Sequence, residues 1–540
     1  MKKDIKSLCK FFTLFQKLWI PYIIATLIVA SRNFIITLLN ASISANAVEM
    51  ISYRNSISDT ILKICIWVIC FAIFDSMGIY FQTTIIHRMS VELRKKMFSH
   101  AINATEESLD KFGNRQELIS RMNYDIDGAT GLLSYGLLSP VMCCISGMGA
   151  SIIIFKIDWK LCLITYILGF IAFLLQLKLT KISRKKVDNI QKSKTGLLSI
   201  CMQSFHNSSL IRITNLKKYT NTYFTSSLKK YKRECTDKGN IDGVYGVIQG
   251  ILRLFCFFGI FAYCFFQSNM KLEDIVYIVQ ISPLVATMIL SISDLLANLQ
   301  RTMVNIDRVL ELFDLPLEEN EGCEFVLKND DILVAKDVAC EYKDCSVNIN
   351  DFVIQQGRGK MFAFIGPSGC GKTTLMRLIL KLYSYSNGEL SLFNQEVKKC
   401  NNLSLRSKIA YVPQENMIFP GTVRDNILFG NESNTIMDTE IIEVFRCIGA
   451  KEFIDSLGLE TTLNENGTNL SGGQRQIIAI VRAILYKKPI LILDEAFASI
   501  DEKYTSYILD YLVQCDMYKL VVTHNERITA RCDKTILING

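Results

Sequence analysis

Six apolar stretches, each long enough to cross a bilayer, limit what the first half of this chain can fold into. They run roughly over 18–41, 60–83, 131–155, 159–178, 244–267 and 274–297. A spanning helix needs about 20 apolar residues. Hydrocarbon offers no partners to backbone N–H and C=O groups, so each stretch must satisfy its own by coiling into a helix. The stretches come in three pairs. Links within pairs are short, whereas those between pairs, about 84–130 and 179–243, are long, polar and charged.

Charge sets an expected orientation. Lys2, Lys3, Lys6, Lys10 and Lys17 precede the first stretch. Arg94, Lys95 and Lys96 follow the second, and Arg184, Lys185 and Lys186 follow the fourth. The short links hold fewer cations: Arg54, then Lys156 and Lys160, then Lys271. Lys and Arg accumulate on the cytoplasmic side. Both termini and both long links are therefore expected in the cytoplasm, with the chain in the plasma (cell) membrane. The formal charge of +8 could suit nucleic acid, but the cations flank apolar spans. Membrane lipid is the expected partner and nucleic acid is not. The 18 cysteines form no Cys-x-x-Cys pair, which favours reduced thiols over zinc or disulfides. The basic start, Met1 to Lys6, reads as a lead into a retained helix, with no peptidase domain expected ahead of the first span.

The long links are periodic. Val91–Phe98 and Gln116–Met122 read as helix, so membrane helices are expected to continue into the cytoplasm and turn at tips near Glu107–Phe112 and Asn215–Tyr219. After about residue 312 the pattern changes. Short β-rich runs such as 331–335 and Met361–Ile365 alternate with helical ones, an α/β layout. The expected domains are 1–312 in the membrane, an acidic turn-rich linker at 313–329, and a nucleotide-binding unit at 330–540.

Five strings in that unit carry chemistry. Gly366-Pro367-Ser368-Gly369-Cys370-Gly371-Lys372-Thr373-Thr374 follows a strand and opens a helix, the context of a phosphate-binding loop. Glycines let backbone N–H groups close around phosphates, and the helix N-terminus adds positive potential. Lys372 is expected to reach the β- and γ-phosphates of ATP and Thr373 to ligate Mg2+. Cys370 reads as a small filler. The apolar strand Ile490–Leu493 ends in Asp494 and Glu495, placing one carboxylate to anchor Mg2+ and the next to act as general base on water. The remaining strings are Tyr411-Val-Pro-Gln414, Leu470-Ser471-Gly472-Gly473-Gln474 and Thr523-His524.

In this order and spacing the strings resemble those of an ABC exporter half-transporter, over nearly the whole chain. The resemblance implies an α-helical transmembrane domain of six helices with long cytoplasmic extensions, then an α/β P-loop ATP-binding cassette with a helical subdomain. Leu470–Gln474 resembles the ABC signature, which in the family caps the γ-phosphate held by the opposite cassette. Gln414 resembles the Q-loop glutamine, which in the family senses Mg2+, as a ligand, and the attacking water, and faces the membrane domain. His524 resembles the switch histidine, Tyr342 the aromatic that stacks on adenine, and Asp501 the D-loop aspartate, with Ile500 in place of the usual leucine. Leu463–Gly467 resembles the X-loop, and the two tips become coupling helices. Family members carry further helix beyond the strand at 535–538, expected to be peripheral to ATP binding.

The resemblance implies ATP-driven export by a dimer with two composite sites. A homodimer is favoured because both halves of the site look intact; a heterodimer is the alternative. An importer or lipid flippase on the same scaffold, or an ATP-gated channel or regulator, are rival readings. Peptide, lipid, drug and metabolite all stay open as cargo. Arg32, Asp75 and Arg253 lie inside apolar stretches, where ionisable groups are costly and often functional. They read either as an internal Arg32–Asp75 pair or as Arg32 and Arg253 lining a cavity for an anionic substrate.

Overall fold

The computed structural model describes residues 2–15, 17–53, 57–112, 115–266, 272–328, 331–342, 345–355, 360–414, 417–431 and 436–538. It divides into two compact units: 1–100 with 116–314, and 101–115 with 315–540.

The first unit is helical. A short helix α1 (Lys2–Thr13) precedes α2 (Trp19–Tyr53) and α3 (Ile57–Asn103). After the tip helix α4 (Glu106–Lys111), which belongs to the second unit, the chain returns through α5 (Arg115–Ser120), α6 (Ile126–Gly131) and α7 (Leu137–Ile157). Two π-helical turns, Arg121–Asp125 and Leu132–Gly136, join these three into one rod. Then follow α8 (Trp159–His206), the short α9 (Ser208–Ile213), α10 (Lys217–Phe266) and α11 (Leu272–Phe313). Each expected apolar stretch lies on one of these rods, with residue 267 outside the described residues. Among the described residues, Trp19–Ser44, Cys65–Asn103, Glu117–Ile157 and Asp274–Ile292 are long and apolar enough to cross a membrane, and Trp159–Leu174 is a shorter apolar segment.

The rods outrun the bilayer, as the periodic links predict. At 47, 48 and 50 residues, α3, α8 and α10 are roughly twice the length a span needs. The second tip differs from expectation. Asn207 leaves the helical conformation and Asn215 takes φ of 55°, so the short helix is Ser208–Ile213 and Tyr219 already belongs to α10. Small residues let the rods approach. A Cβ on Gly147 of α7 would stand 2.4 Å from Met288 Cβ and 2.9 Å from the Leu284 carbonyl of α11. Arg32 Nε lies 3.4 Å from Asp75 Oδ1, the internal pairing anticipated from sequence. The side chain of Arg253 lies outside the described residues.

The first π turn carries a buried arginine. Arg121 is 8% exposed and donates to Glu117 Oε1 at 2.9 Å, Glu311 Oε2 at 2.7 Å and the Arg308 carbonyl at 2.8 Å. It thereby ties the returning rod to the end of α11.

The second unit holds two main sheets. One is antiparallel, built from β1 (Leu333–Tyr342), β2 (Cys345–Ile349), β3 (Phe352–Ile354), and later β5 and β6. Next come β4 (Met361–Ile365), α12 (Lys372–Ile379), β5 (Asn387–Leu392), β6 (Gln395–Glu396), α13 (Asn402–Ser407) and β7 (Ile409–Val412). A mostly helical stretch follows: the hairpin strands β8 (Gly421–Thr422) and β9 (Thr462–Leu463) bracket α14 (Val423–Leu428), α15 (Asp438–Cys447) and α16 (Lys451–Leu457). The chain closes with α17 (Gly472–Leu485), β10 (Ile490–Asp494), α18 (Glu502–Gln514), β11 (Tyr518–Val522), α19 (Glu526–Thr529) and β12 (Lys534–Leu537). The second main sheet is parallel, in the order β12-β4-β11-β10-β7. Its interior strand β10 is fully buried, which explains its unbroken apolar run.

The tip helix α4 clusters with this unit rather than with the rods. Thr105 N–H donates to the Pro316 carbonyl at 3.0 Å, Ser384 Oγ donates to Glu107 Oε2 at 2.8 Å, and the Tyr383 hydroxyl donates to Asp110. The segment following α11 joins in, since Arg406 clamps Glu318 with both ends of its guanidinium at 2.8 and 2.9 Å.

Replacing Arg121 by methionine keeps the bulk but strips Glu117, Glu311 and the Arg308 carbonyl of their shared donor. A loss on the order of 2 kcal/mol is expected, read as a lower thermal midpoint of the detergent-purified chain. An unchanged midpoint would show that this network is not structural.

Candidate active site

Parallel strands deliver their functional strings at one edge, because the carboxyl ends of all of them point the same way. The glycine loop leaves β4 at Ile365, Gln414 follows β7, Asp494 ends β10 with Glu495 next, and Thr523-His524 follows β11. Backbone bonds lock these exits together: Glu495 N–H donates to the Val522 carbonyl at 3.0 Å, and Thr523 N–H to Phe364 at 3.2 Å.

Residues 366–371 form a loop that closes on the start of α12. Gly371 sits at φ of 98°, and a Cβ there would come 2.4 Å from Val347 Cγ1, so glycine is required. Pro367, Ser368 and Gly369 form an exposed rim, while Cys370 is buried beneath. Lys372 is also buried. Its ammonium donates to the carbonyls of Gly366 at 2.9 Å and Pro367 at 2.8 Å and lies 3.7 Å from Cys370 Sγ. Cys370 thus fills space beside the lysine, as its small size predicts. Thr374 is buried behind the loop.

Asp494 is 0% exposed. Its Oδ1 accepts from Thr373 Oγ1 at 3.1 Å and its Oδ2 from the Tyr411 hydroxyl at 3.3 Å. Burial pushes this carboxyl above the ordinary carboxylate range, and the two hydroxyl bonds offset part of the shift. Burial likewise raises the Tyr411 phenol, with the Asp494 charge adding to it. The string Tyr411-Val-Pro-Gln414 was legible, but the part of Tyr411 was not. It follows from register: Tyr411 pairs with Ile492 of the neighbouring β10, bringing its hydroxyl under the strand's acidic tip.

Glu495 stands between two partners. Gln414 Nε2 donates to its Oε2 at 2.9 Å, and His524 Nε2 lies 3.5 Å from its Oε1. Its backbone has φ of 49°, in the left-handed region that side-chain-bearing residues seldom occupy. Three strings distant in sequence therefore converge on one carboxylate.

The signature string opens α17. Ser471 caps this helix: its Oγ accepts from Gln474 N–H at 3.2 Å, and Gln474 Oε1 accepts from Ser471 N–H at 2.8 Å. Gly472 and Gly473 face the Ser499 turn, where a Cβ on Gly473 would meet the Ser499 carbonyl at 2.5 Å. Gln476, which sequence reasoning missed, fixes that turn by accepting from Ser499 N–H at 2.9 Å. Its position two residues beyond the quoted string hid it. Asp501 ends the same turn as the exposed N-cap of α18. Tyr342 ends β1, and its side chain lies outside the described residues.

A glycine loop on a helix N-terminus, a buried strand-tip aspartate facing its threonine, and a second acid beside it define a P-loop ATPase. Residues 349–498 match the ABC transporter family and residues 6–288 match the ABC transporter transmembrane region. The chain belongs to the ABC transporter family, as an exporter-type half-transporter whose cassette is an ATPase coupled to transport.

Over 98% of its length it is 28% identical to a Rickettsia felis protein provisionally named export ATP-binding/permease protein, covering 93% of that protein. An ATP-dependent lipid A-core flippase of Francisella novicida is 26% identical over 85% of the chain, with 79% of the flippase covered. In fold the chain resembles a bacterial Atm1-family ABC exporter with ATP bound, with a TM-score of 0.78 over 97% of this chain and 94% of that one at 17% identity.

Gly473→Ala forces a methyl into a backbone carbonyl and should lower both the thermal midpoint and ATPase turnover. An alanine variant with wild-type turnover would show that the signature turn can relax.

Proposed function

We propose that this chain is an ATP-driven exporter working as a dimer, with each ATP held between one chain's phosphate loop and the other's signature. The observation that carries this reading is the Glu495 carboxylate held by Gln414 and His524 beside Asp494 and Thr373. Lys372 exchanges its two loop carbonyls for the β- and γ-phosphates. Tyr342 is assigned to the adenine ring. Glu495 takes a proton from the water that attacks the γ-phosphorus, the bond to the β-phosphate oxygen breaks, and ADP and phosphate result. Gln414 orients the carboxylate and the water, and His524 faces the γ-phosphate. Ser471, Gly472, Gly473 and Gln474 of the second cassette supply donors at a helix N-terminus, and Asp501 lies in the turn behind them.

The Thr373–Asp494 pair fits Mg2+. Asp494 is a buried carboxylate hydrogen-bonded by hydroxyls, an arrangement that favours a bound cation. Thr373, Asp494 and Gln414 would hold Mg2+, which when bound would neutralise phosphate charge. ATP favours the closed pair of cassettes, and that differential affinity drives the membrane half outward-facing. The α4 tip, hydrogen-bonded to Tyr383 and Ser384, is the proposed coupling helix. The cation pattern supports cytoplasmic termini and cassette in the cell membrane. A lipid flippase is the second reading, supported by the name of the Francisella relative.

The test is ATPase turnover and vesicle transport by this chain alone in lipid. Wild type should hydrolyse ATP and Glu495→Gln should bind ATP without turnover, losing at least about 100-fold. No wild-type turnover with ATP still bound would replace the homodimer by an obligate heterodimer. Flux that survives Glu495→Gln would overturn a pump in favour of a channel.

The raised Asp494 carboxyl predicts a pH dependence. Mg2+ ligation needs the carboxylate, so Mg2+ affinity of the ATP-bound chain is full above the raised value and lost as pH falls through it. The loss should begin at a higher pH than for a solvent-exposed carboxylate. Asp494→Asn should weaken Mg2+ binding and flatten that acid limb, read by titrating Mg2+ at fixed ATP.

A further inference from the structure

Residues 315–328, which follow α11, belong to the second unit and are bound along it at residues 395–406. Besides the Arg406 clamp on Glu318, Asn401 Nδ2 donates to the Asn320 carbonyl and Phe325 N–H donates to Ser404 Oγ at 2.9 Å. Val326 N–H donates to Gln395 Oε1 at 3.3 Å. At its upstream end the same segment meets the start of the tip, where Glu318 N–H donates to the Asn103 carbonyl at 2.8 Å. Hydrogen bonds and one ion pair thus hold a seam between this segment and the cassette.

Two cysteines are paired across this seam. Cys323 N–H donates to the Lys399 carbonyl at 2.8 Å and Asn401 N–H donates to the Cys323 carbonyl at 2.8 Å, so Cys323 pairs in parallel register with Cys400. Bridge partners project their side chains to the same side, and adjacent strands lie about 4.8 Å apart. A disulfide spans Cα atoms roughly 4.4 to 6.8 Å apart. Gly322 lets the segment come this near: its φ is 131°, and a Cβ there would meet the Lys399 carbonyl oxygen at 2.5 Å and the Cys400 carbonyl carbon at 2.8 Å. Both thiols are free, Cys323 exposed and Cys400 only 2% exposed. Burial raises the Cys400 thiol, the Lys381 ammonium opposes that, and charge on Cys323 adds to it, so the two thiols feel one another.

We infer that Cys323 and Cys400 form a reversible oxidation site, which takes a peroxide as oxidant and closes to a disulfide that fastens the segment after α11 to the cassette. The exposed Cys323 sulfur attacks one peroxide oxygen, the O–O bond breaks, and water leaves, giving a sulfenic acid. The Cys400 sulfur gives up its proton and attacks the Cys323 sulfur, and the sulfenic oxygen leaves as a second water. Two thiols lose two electrons and one hydrogen peroxide is reduced to two waters. A dithiol reductant reverses the step. In a reducing compartment such a bond is a transient sensor and not a permanent strut, which fits the proposed cytoplasmic cassette. Neither cysteine belongs to the ATP site, and the site is independent of the cargo.

The test treats the full purified chain with graded hydrogen peroxide, blocks the remaining thiols and digests it with trypsin without reductant. Residues 309–328 and 400–406 are then separate peptides with one cysteine each. They should appear as one linked species, two hydrogens lighter than their sum, which dithiothreitol separates. The oxidised chain should also melt at a higher temperature than the same sample after dithiothreitol, because the bond restricts the unfolded chain. Cys323→Ser should lose the link and the rise in midpoint while keeping its basal ATPase. Gly322→Ala keeps both thiols but pushes the segment off Lys399, and should lose most of the link at the same dose. Absence of the linked peptide from the wild type would overturn the proposal, including where dimedone traps Cys323 as its sulfenic acid. A link that leaves the midpoint unchanged would show that it fastens nothing. A Cys323–Cys323 link between chains would overturn the pairing, as would a preferred link between Cys447 and Cys515, two thiols that line a common cavity.

Discussion

The hydrogen bond between Thr373 and Asp494 joins segments 121 residues apart, and the catalytic edge depends on it. It holds the first turn of α12 against the tip of β10, so the phosphate loop and the acidic pair share one place. The parallel sheet makes the bond possible, because β4, β11, β10 and β7 all end at that edge. Burial sharpens it. A carboxylate removed from water and met by two hydroxyls keeps an unmet demand for positive charge.

Much of the cassette was legible because its chemistry is written in contiguous strings. The glycine loop, the apolar β10 run and the capping pair Ser471–Gln474 each carry local physics that a sequence exposes. Tyr411 and Gln476 were not legible, since their roles arise from strand register and from a turn that folds back over α17. The second tip was misplaced for a related reason. Asn207 and Asn215 both interrupt the helix, and only their backbone angles show where α9 lies between them.

The membrane half shows the opposite balance. Hydropathy locates the rods but not the joints within them. The π turns at 121–125 and 132–136 interrupt a stretch that reads as uniform helix. Extra residues in a helical turn shift the faces beyond it. Arg121 sits at the first such joint and fastens it to Glu311 and the Arg308 carbonyl. The tip beyond, α4, is bound instead to Tyr383 and Ser384 of the ATPase unit.

The positive φ of Glu495 has an energetic side. A side chain in that backbone region costs on the order of 1 kcal/mol, and glycine or asparagine would relieve it. The backbone strain therefore works against the acid on which turnover is proposed to rest, while the contacts with Gln414 and His524 hold it in place.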